Sequence, residues 1–264
     1  MLTPTDRSIA DSRSVMHHGL ITALSSITVS LEGGSARHHA GYVALLTPAV
    51  ALPAFNAMIL TGGSVAEVVS ALPVTMSEVE SLGLPFGVMT RSGKATEVEE
   101  AAERLGLTEV EARPGMVLDS TGLADLGNPD VEVVRAGDAV TLDLAGTTAA
   151  AAFSLPPETL GPLYREHFAA QPQASVYVAV ADGEPVSTAM AWTAGGSVGI
   201  FVVGTPEVHR GRGYGAAVTA RAVLDGFAAG ATMAWLQASP MGERVYTRMG
   251  FRTVETHVLL TRPR

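Results

Sequence analysis

The chain has 264 residues, 47% hydrophobic and 16% charged, a balance that supports a buried core and excludes extensive disorder. It has no cysteine, which excludes disulfides and thiolate metal sites and fits a reducing, cytoplasmic location. The net charge is −9, with 7 basic against 14 acidic residues in 1–128 and Lys94 as the sole lysine, so the composition disfavours nucleic acid and favours cationic partners.

The N-terminal "MLTPTDRSIADSRS" has no basic run leading into an apolar stretch, so it does not read as a secretory signal. Residues 41–66 carry no charge and are long enough to span a bilayer. Pro48, Pro53, Asn56 and the Gly62–Gly63 pair interrupt them, and the expectation is buried strands with a turn and no membrane association. "MSEVESLGL" reads as a short helix ending at Gly83. "TEVEEAAERLGL" reads as a helix capped by Thr96, with Glu97, Glu99 and Glu100 in its first turn and Gly106 at its end. The paired histidines His17–His18 and His38–His39 lack supporting carboxylate spacing and read as surface residues, not metal ligands. The polar cluster Ser120–Asp130, with Gly122, Gly127 and Pro129, marks the expected boundary between domains 1–128 and 129–264.

The second half begins with a strand over Val131–Asp138. "SLPPETLGPLYREHFAA" reads as a helix starting at Ser154, with Pro156 and Pro157 near its start. A hairpin turning at Asp182-Gly183 follows, then a strand over Ser197–Thr205. A helix over about Gly213–Ala229 ends at Gly230. The strand "TMAWLQAS" precedes a short helix with Ser239 as N-cap, Pro240 in its first turn and Gly250 past its end. "FRTVETHVLL" closes the chain as a strand. Tight connections make the first strands antiparallel. The helical crossover after Arg210 makes the strand at Met233–Ala238 parallel to the one before it. The fold class is α+β, a mixed, mostly antiparallel sheet flanked by helices.

"VHRGRGYGAAV" (Val208–Val218) joins a strand to a helix. Glycines there let backbone N–H groups and the helix dipole face an anion without an intervening Cβ. Arg210 and Arg212 add charge. No Gly-Lys-Ser/Thr follows, which excludes a P-loop, and Gly-x-Gly-x-Gly is not the dinucleotide fingerprint. A phosphate cradle and a plain tight turn both remain on this reading.

The spacing Arg-x-x-Gly-x-Gly of Arg210, Gly213 and Gly215 resembles the acyl-CoA loop of the GNAT superfamily of N-acetyltransferases. The likeness extends over "SVGIFVVGTPEVHRGRGYGAAVTARAVL" and over "ERVYTRMGF", and covers about residues 131–264. It implies acetyl-CoA as co-substrate, no metal, and a loop of Arg210, Gly211, Arg212, Gly213, Tyr214, Gly215 and Ala216 on the pyrophosphate. It further implies that Phe201, Val202 and Val203 offer a strand edge to the pantetheine, with Gly204 marking the bulge that opens it, and that Tyr246 is the general acid. Ser239 stands where many relatives carry a CoA-binding asparagine, as a substitute ligand or as a helix cap. Glu207 and His209 are the nearby titratable groups, Glu207 reading as solvated; the general base is unassigned. "GLPFGVMT…AAERLGLTEVEARPGMVLD" and Asn56 in "PAFNAMI" resemble the degenerate N-terminal half of tandem GNAT proteins, which would shape an acceptor site. The resemblance implies transfer of an acetyl group to a primary amine, carried by a small molecule or peptide, with a homodimer left open. The alternative is a non-catalytic acyl-CoA-binding or ligand-sensing protein on the same fold.

Overall fold

The computed structural model describes residues 8–126 and 130–263. The boundary expected at 128/129, with Gly127 and Pro129, lies outside the described residues. The helices are α1 (Ile9–Val29), α2 (Val65–Ser81), α3 (Thr96–Arg104), α4 (Ala139–Phe153), α5 (Pro157–Leu160), α6 (Glu166–Ala169), α7 (Tyr214–Ala228) and α8 (Pro240–Arg248). The strands are β1 (Ser35–His38), β2 (Tyr42–Leu46), β3 (Ala57–Leu60), β4 (Gly87–Arg91), β5 (Glu109–Asp119), β6 (Glu132–Ala136), β7 (Ala174–Ala181), β8 (Glu184–Ala194), β9 (Ser197–Gly204), β10 (Met233–Gln237) and β11 (Arg252–Thr261). Among the described residues no helix is long and apolar enough to cross a membrane. The uncharged stretch 41–66 forms β2, a 3-10 turn at Pro53–Phe55, β3 and the start of α2.

The molecule divides into two compact units, each discontinuous in sequence: residues 1–19 with 115–254, and residues 20–114 with 255–264. The reason is strand pairing. In the first unit β6, β7, β8 and β9 pair antiparallel in sequence order, and β10 joins β9 in parallel across the α7 crossover. Residues 115–119 of β5 then pair antiparallel with β10. In the second unit β1, β2 and β3 are antiparallel, and β4 joins β3 in parallel across α2. Its sheet is completed by β11, whose residues 257–261 pair antiparallel with β4. Each unit thus has one parallel pair, and each takes a strand from the far half of the chain.

Local chemistry explains the element ends. Asp182 (φ 52°) and Gly183 (φ 81°) both adopt the left-handed backbone that a two-residue hairpin turn requires. Ser239 caps α8 by accepting from the Gly242 N–H at 3.1 Å, with Pro240 in the first turn. Several expectations are corrected. Thr96 is the first residue of α3 and does not cap it; Ala95 precedes the helix without a side-chain bond. α2 starts at Val65, well before Met76, and carries Pro73 inside it. Ser154 does not begin a helix: it ends α4 in the left-handed conformation (φ 53°). The segment after it forms only the short helices α5 and α6 around a 3-10 turn at Gly161–Tyr164. α4 itself opens on a capping box between Asp138 and Thr141.

The first unit buries Tyr177, Ala189, Ala191, Ile200 and Leu236 from its sheet against Val218, Ala222 and Val223 of α7 and Tyr246 of α8. Gly199 sits in the middle of β9 on the opposite face, where a Cβ would collide with the Trp235 ring and lie 2.9 Å from Phe201 Cε2. Trp235 is buried and its Nε1 donates to Ser197 Oγ at 3.2 Å, so the ring cannot retreat. Gly199→Ala is expected to destabilise the protein by about 1–3 kcal/mol, the range for overpacking a core, measurable as a lower denaturation midpoint in urea.

Candidate active site

Two features of the first unit meet at the end of β9. The first is a gap in the sheet. The parallel ladder between β9 and β10 ends at Ile200↔Leu236, so Phe201, Val202 and Val203 continue beyond it. On the other side, the pairing runs Trp192↔Gly199, Ala191↔Ile200 and Met190↔Phe201, then jumps to Thr188↔Gly204. β9 advances three residues while β8 advances two, which is a β-bulge. Val202 adopts φ 48°, a left-handed conformation that is an outlier for a β-branched residue. The bulge therefore centres on Val202, not on Gly204 as expected. Gly204 serves packing: a Cβ there would lie 2.8 Å from the Ala152 Cβ and 3.2 Å from the Phe153 ring.

The second feature is the loop into α7. A 3-10 turn at Glu207–His209 leads to Arg210, and α7 begins at Tyr214. Two of its three glycines adopt a left-handed backbone, and the third sits in a tight space. Gly211 (φ 78°) has open space where a Cβ would be, so only its backbone conformation demands glycine. Gly213 (φ 84°) occupies the N-cap position, and no side chain caps α7. Gly215 lies inside the first turn, where a Cβ would come 3.2 Å from Thr205 Oγ1. The first turn of a helix leaves N–H groups without intrahelical partners, and here Tyr214, Gly215 and Ala216 hold those positions. An uncapped N-terminus behind a glycine turn is suited to an anion.

Arg210 contributes mainly by tying the loop down. Its Nε donates to the Thr205 carbonyl at 3.1 Å and its Nη2 to the Ala152 carbonyl at 3.3 Å. Arg212 is exposed at the tip of the turn. Ser187 Oγ donates to the Gly204 carbonyl at 3.0 Å and shares a hydrogen bond of 2.9 Å with Thr205 Oγ1. Ser187 and Thr205 are contributors that sequence reading missed; neither lies in the glycine motif. The Tyr214 ring is buried in the core, so what it offers the loop is its backbone.

Tyr246 is 8% exposed and packs edge-on against Phe251 at 5.8 Å between ring centroids. Burial pushes its phenol up to about 12, with the neighbouring Thr219 hydroxyl acting in the opposite direction. The phenol is protonated throughout the neutral range and able to donate. Thr219 donates to the Gly215 carbonyl at 2.8 Å, so this residue connects Tyr246 with the first turn of α7. Gly242 leaves room for the ring, since a Cβ there would lie 2.9 Å from Tyr246 Cε2. The Ser239 hydroxyl oxygen is used in capping α8. Glu207 is exposed, as expected, whereas His209 is partly buried and its buried Nδ1 has no hydrogen-bond partner. His18, His38 and His39 are exposed, and His17 is partly buried on α1.

Comparison with known proteins gives a family match for part of the chain and a shared fold for nearly all of it. Residues 146–251 match the model of the acetyltransferase (GNAT) family. This segment is a GNAT domain. The fold extends over nearly the whole chain. A GCN5-related N-acetyltransferase from Kribbella flavida is similar over 93% of this chain and 95% of its own, with a TM-score of 0.71 and 22% identity. One from Sphaerobacter thermophilus is similar over 99% and 95%, with a TM-score of 0.60 and 15% identity. A tandem GNAT protein from the clavulanic acid biosynthesis pathway is similar over 97% and 96%, with a TM-score of 0.58 and 11% identity. No curated protein matches the chain.

The second unit repeats the strand–loop–helix–strand arrangement without the site. β2 and β3 pair in unbroken register, and three of the four β3 residues pair with β4. The loop before α2 is filled by protein: a Cβ at Gly63 would lie 2.5 Å from the Ala40 carbonyl oxygen. Ser64 caps α2 by accepting from the Glu67 N–H at 3.4 Å, and Glu67 places a negative charge in the first turn. Such a terminus repels an anion. Asn56 serves the fold, accepting from the Thr47 N–H at 2.7 Å and donating to the Val50 and Leu52 carbonyls.

The strain at Val202 is separable from ordinary packing. A left-handed non-glycine residue costs about 1–2 kcal/mol, and glycine's extra unfolded-state freedom offsets about 0.5–1 kcal/mol of the relief. Val202→Gly is therefore expected to leave the unfolding free energy unchanged or slightly higher. Val203→Gly, which removes a side chain packed on the core, is expected to lower it by about 1–3 kcal/mol. Equal losses in both variants would show that Val202 is not strained.

Proposed function

We propose that the chain is an acetyl-CoA-dependent N-acetyltransferase acting on a primary amine. The observation that carries this reading is the junction after β9: a bulged strand edge at Phe201–Val203, beyond the ladder to β10, leads through one 3-10 turn to an uncapped glycine turn at Gly211–Gly215. The edge suits an extended chain with amide groups, such as pantetheine, which pairs with it as an added strand. The turn suits the pyrophosphate. The family match and the fold support the same assignment.

In this reading the backbone N–H groups of residues 211–216 hold the pyrophosphate, and exposed Arg212 adds charge. Arg210 keeps the loop fixed to β9 and α4, which preorganises those amides. An N–H of the bulged backbone around Val202 serves, in this reading, to polarise the thioester carbonyl. Tyr246 supplies a proton to the departing thiolate, a role that suits a phenol held neutral at physiological pH. Ser239 accepts from the Gly242 N–H, which leaves its O–H as a donor in the place of the asparagine of many relatives.

Acetyl-CoA at about 100 times its Kd is expected to stabilise the full chain by about 2.7 kcal/mol, read as a rise in Tm. Gly213→Glu puts a bulky anion into a left-handed turn and is expected to abolish that rise; an unchanged rise would remove the glycine turn from the binding site. Tyr246→Phe is expected to keep the rise and lower kcat by about 100-fold or more. Unchanged turnover in that variant would reject the general-acid role, and binding without turnover of any amine would favour the sensing reading.

A further inference from the structure

The two faces of β9 have different neighbours. On one, Val203 packs into the core shared with α7 and α8, where Tyr246 lies. On the other, Phe201 meets Trp235 edge-on at 5.3 Å, and Gly204 lies under the C-terminus of α4. The three-residue step of the bulge brings Phe201 and Gly204 to the same face, although alternation alone would separate them. The Phe153 ring covers Gly204, 3.2 Å from the position of an added Cβ. It is nonetheless 44% exposed, and Phe201 is partly exposed. The end of α4 is linked to the glycine loop, because Arg210 Nη2 donates to the Ala152 carbonyl at 3.3 Å. Two aromatic rings, held from different elements, thus flank Val202 on the α4 face.

An amine adds to a thioester carbonyl from one side while the sulfur departs. With the proton donor for sulfur on the α7/α8 face, the amine approaches across the α4 face. We propose that the acceptor is a primary amine on an apolar or aromatic body, seated against Phe153 and Phe201. This rests on the N-acetyltransferase reading above. In the transfer the amine nitrogen forms the C–N bond and the C–S bond breaks. CoA leaves as the thiol with a proton from Tyr246, the surplus proton of the amine passes to water, and Tyr246 is reprotonated from water. The rings accept the apolar body by burial and tolerate the incoming ammonium on their faces, and the ammonium gives up a first proton to water before the neutral amine attacks.

The test uses the full chain with acetyl-CoA and reads thiol release with phenethylamine, hexylamine, ethanolamine and spermidine. The kcat/KM for phenethylamine is expected to exceed that for ethanolamine by about tenfold or more, the scale on which an apolar contact discriminates. In Phe153→Ala that ratio is expected to fall toward one through a higher KM for phenethylamine, with the acetyl-CoA thermal shift retained; Phe153→Leu is expected to recover most of it. A preference for ethanolamine or spermidine, or an unchanged ratio in Phe153→Ala, overturns the inference and leaves the transferase reading standing. No thiol release with any of the four overturns both.

Discussion

Everything at the proposed site depends on β9 losing its parallel partner halfway along. A strand inside a sheet has no backbone groups to spare, because both edges are paired. Past Ile200 the ladder to β10 stops, and the bulge at Val202 turns the strand while β8 continues to hold its other edge. The result is a length of strand edge inside a well-packed unit. Keeping it there requires a β-branched residue in a left-handed conformation, which the surrounding pairing must hold in place. Ser187, Thr205 and Arg210 fasten the far end, so the glycine turn stands in a fixed relation to the gap.

The two units build the start of the crossover helix in different ways. Both contain two parallel strands joined by a crossover helix. In the first unit the helix begins on glycine with no side-chain cap. In the second it begins on a serine cap with a glutamate in its first turn, beneath a loop packed against Ala40 and Gly41. Satisfying a helix terminus internally stabilises it and removes it as an anion site. The second unit closes the groups that the first leaves open.

Much of this was legible in the sequence where local chemistry decides structure. The Asp182-Gly183 hairpin, the Ser239–Pro240 helix start and the glycine turn before α7 each require particular residues, and each stands where expected. α4 was not legible, because its run of alanine, threonine and glycine presents no strong apolar stripe; its one clear signal was the Asp138–Thr141 capping box. Pro73 concealed the first turns of α2. Glycine is the usual occupant of a bulge, which points to Gly204, whereas the fold places the bulge on Val202 and uses Gly204 for helix packing. The pairing of β5 with β10 and of β11 with β4 is set by tertiary context, and no local pattern encodes it.

In the proposed function, one strand edge and one helix terminus form a single site in the first unit. A crystal structure of the full chain grown with acetyl-CoA tests this most directly. One molecule per chain is expected, its pantetheine amides hydrogen-bonded to the backbone of residues 201–203 and its pyrophosphate on the N–H groups of residues 211–216. A molecule bound at the start of α2, or one whose phosphates lie away from the glycine turn, would contradict it.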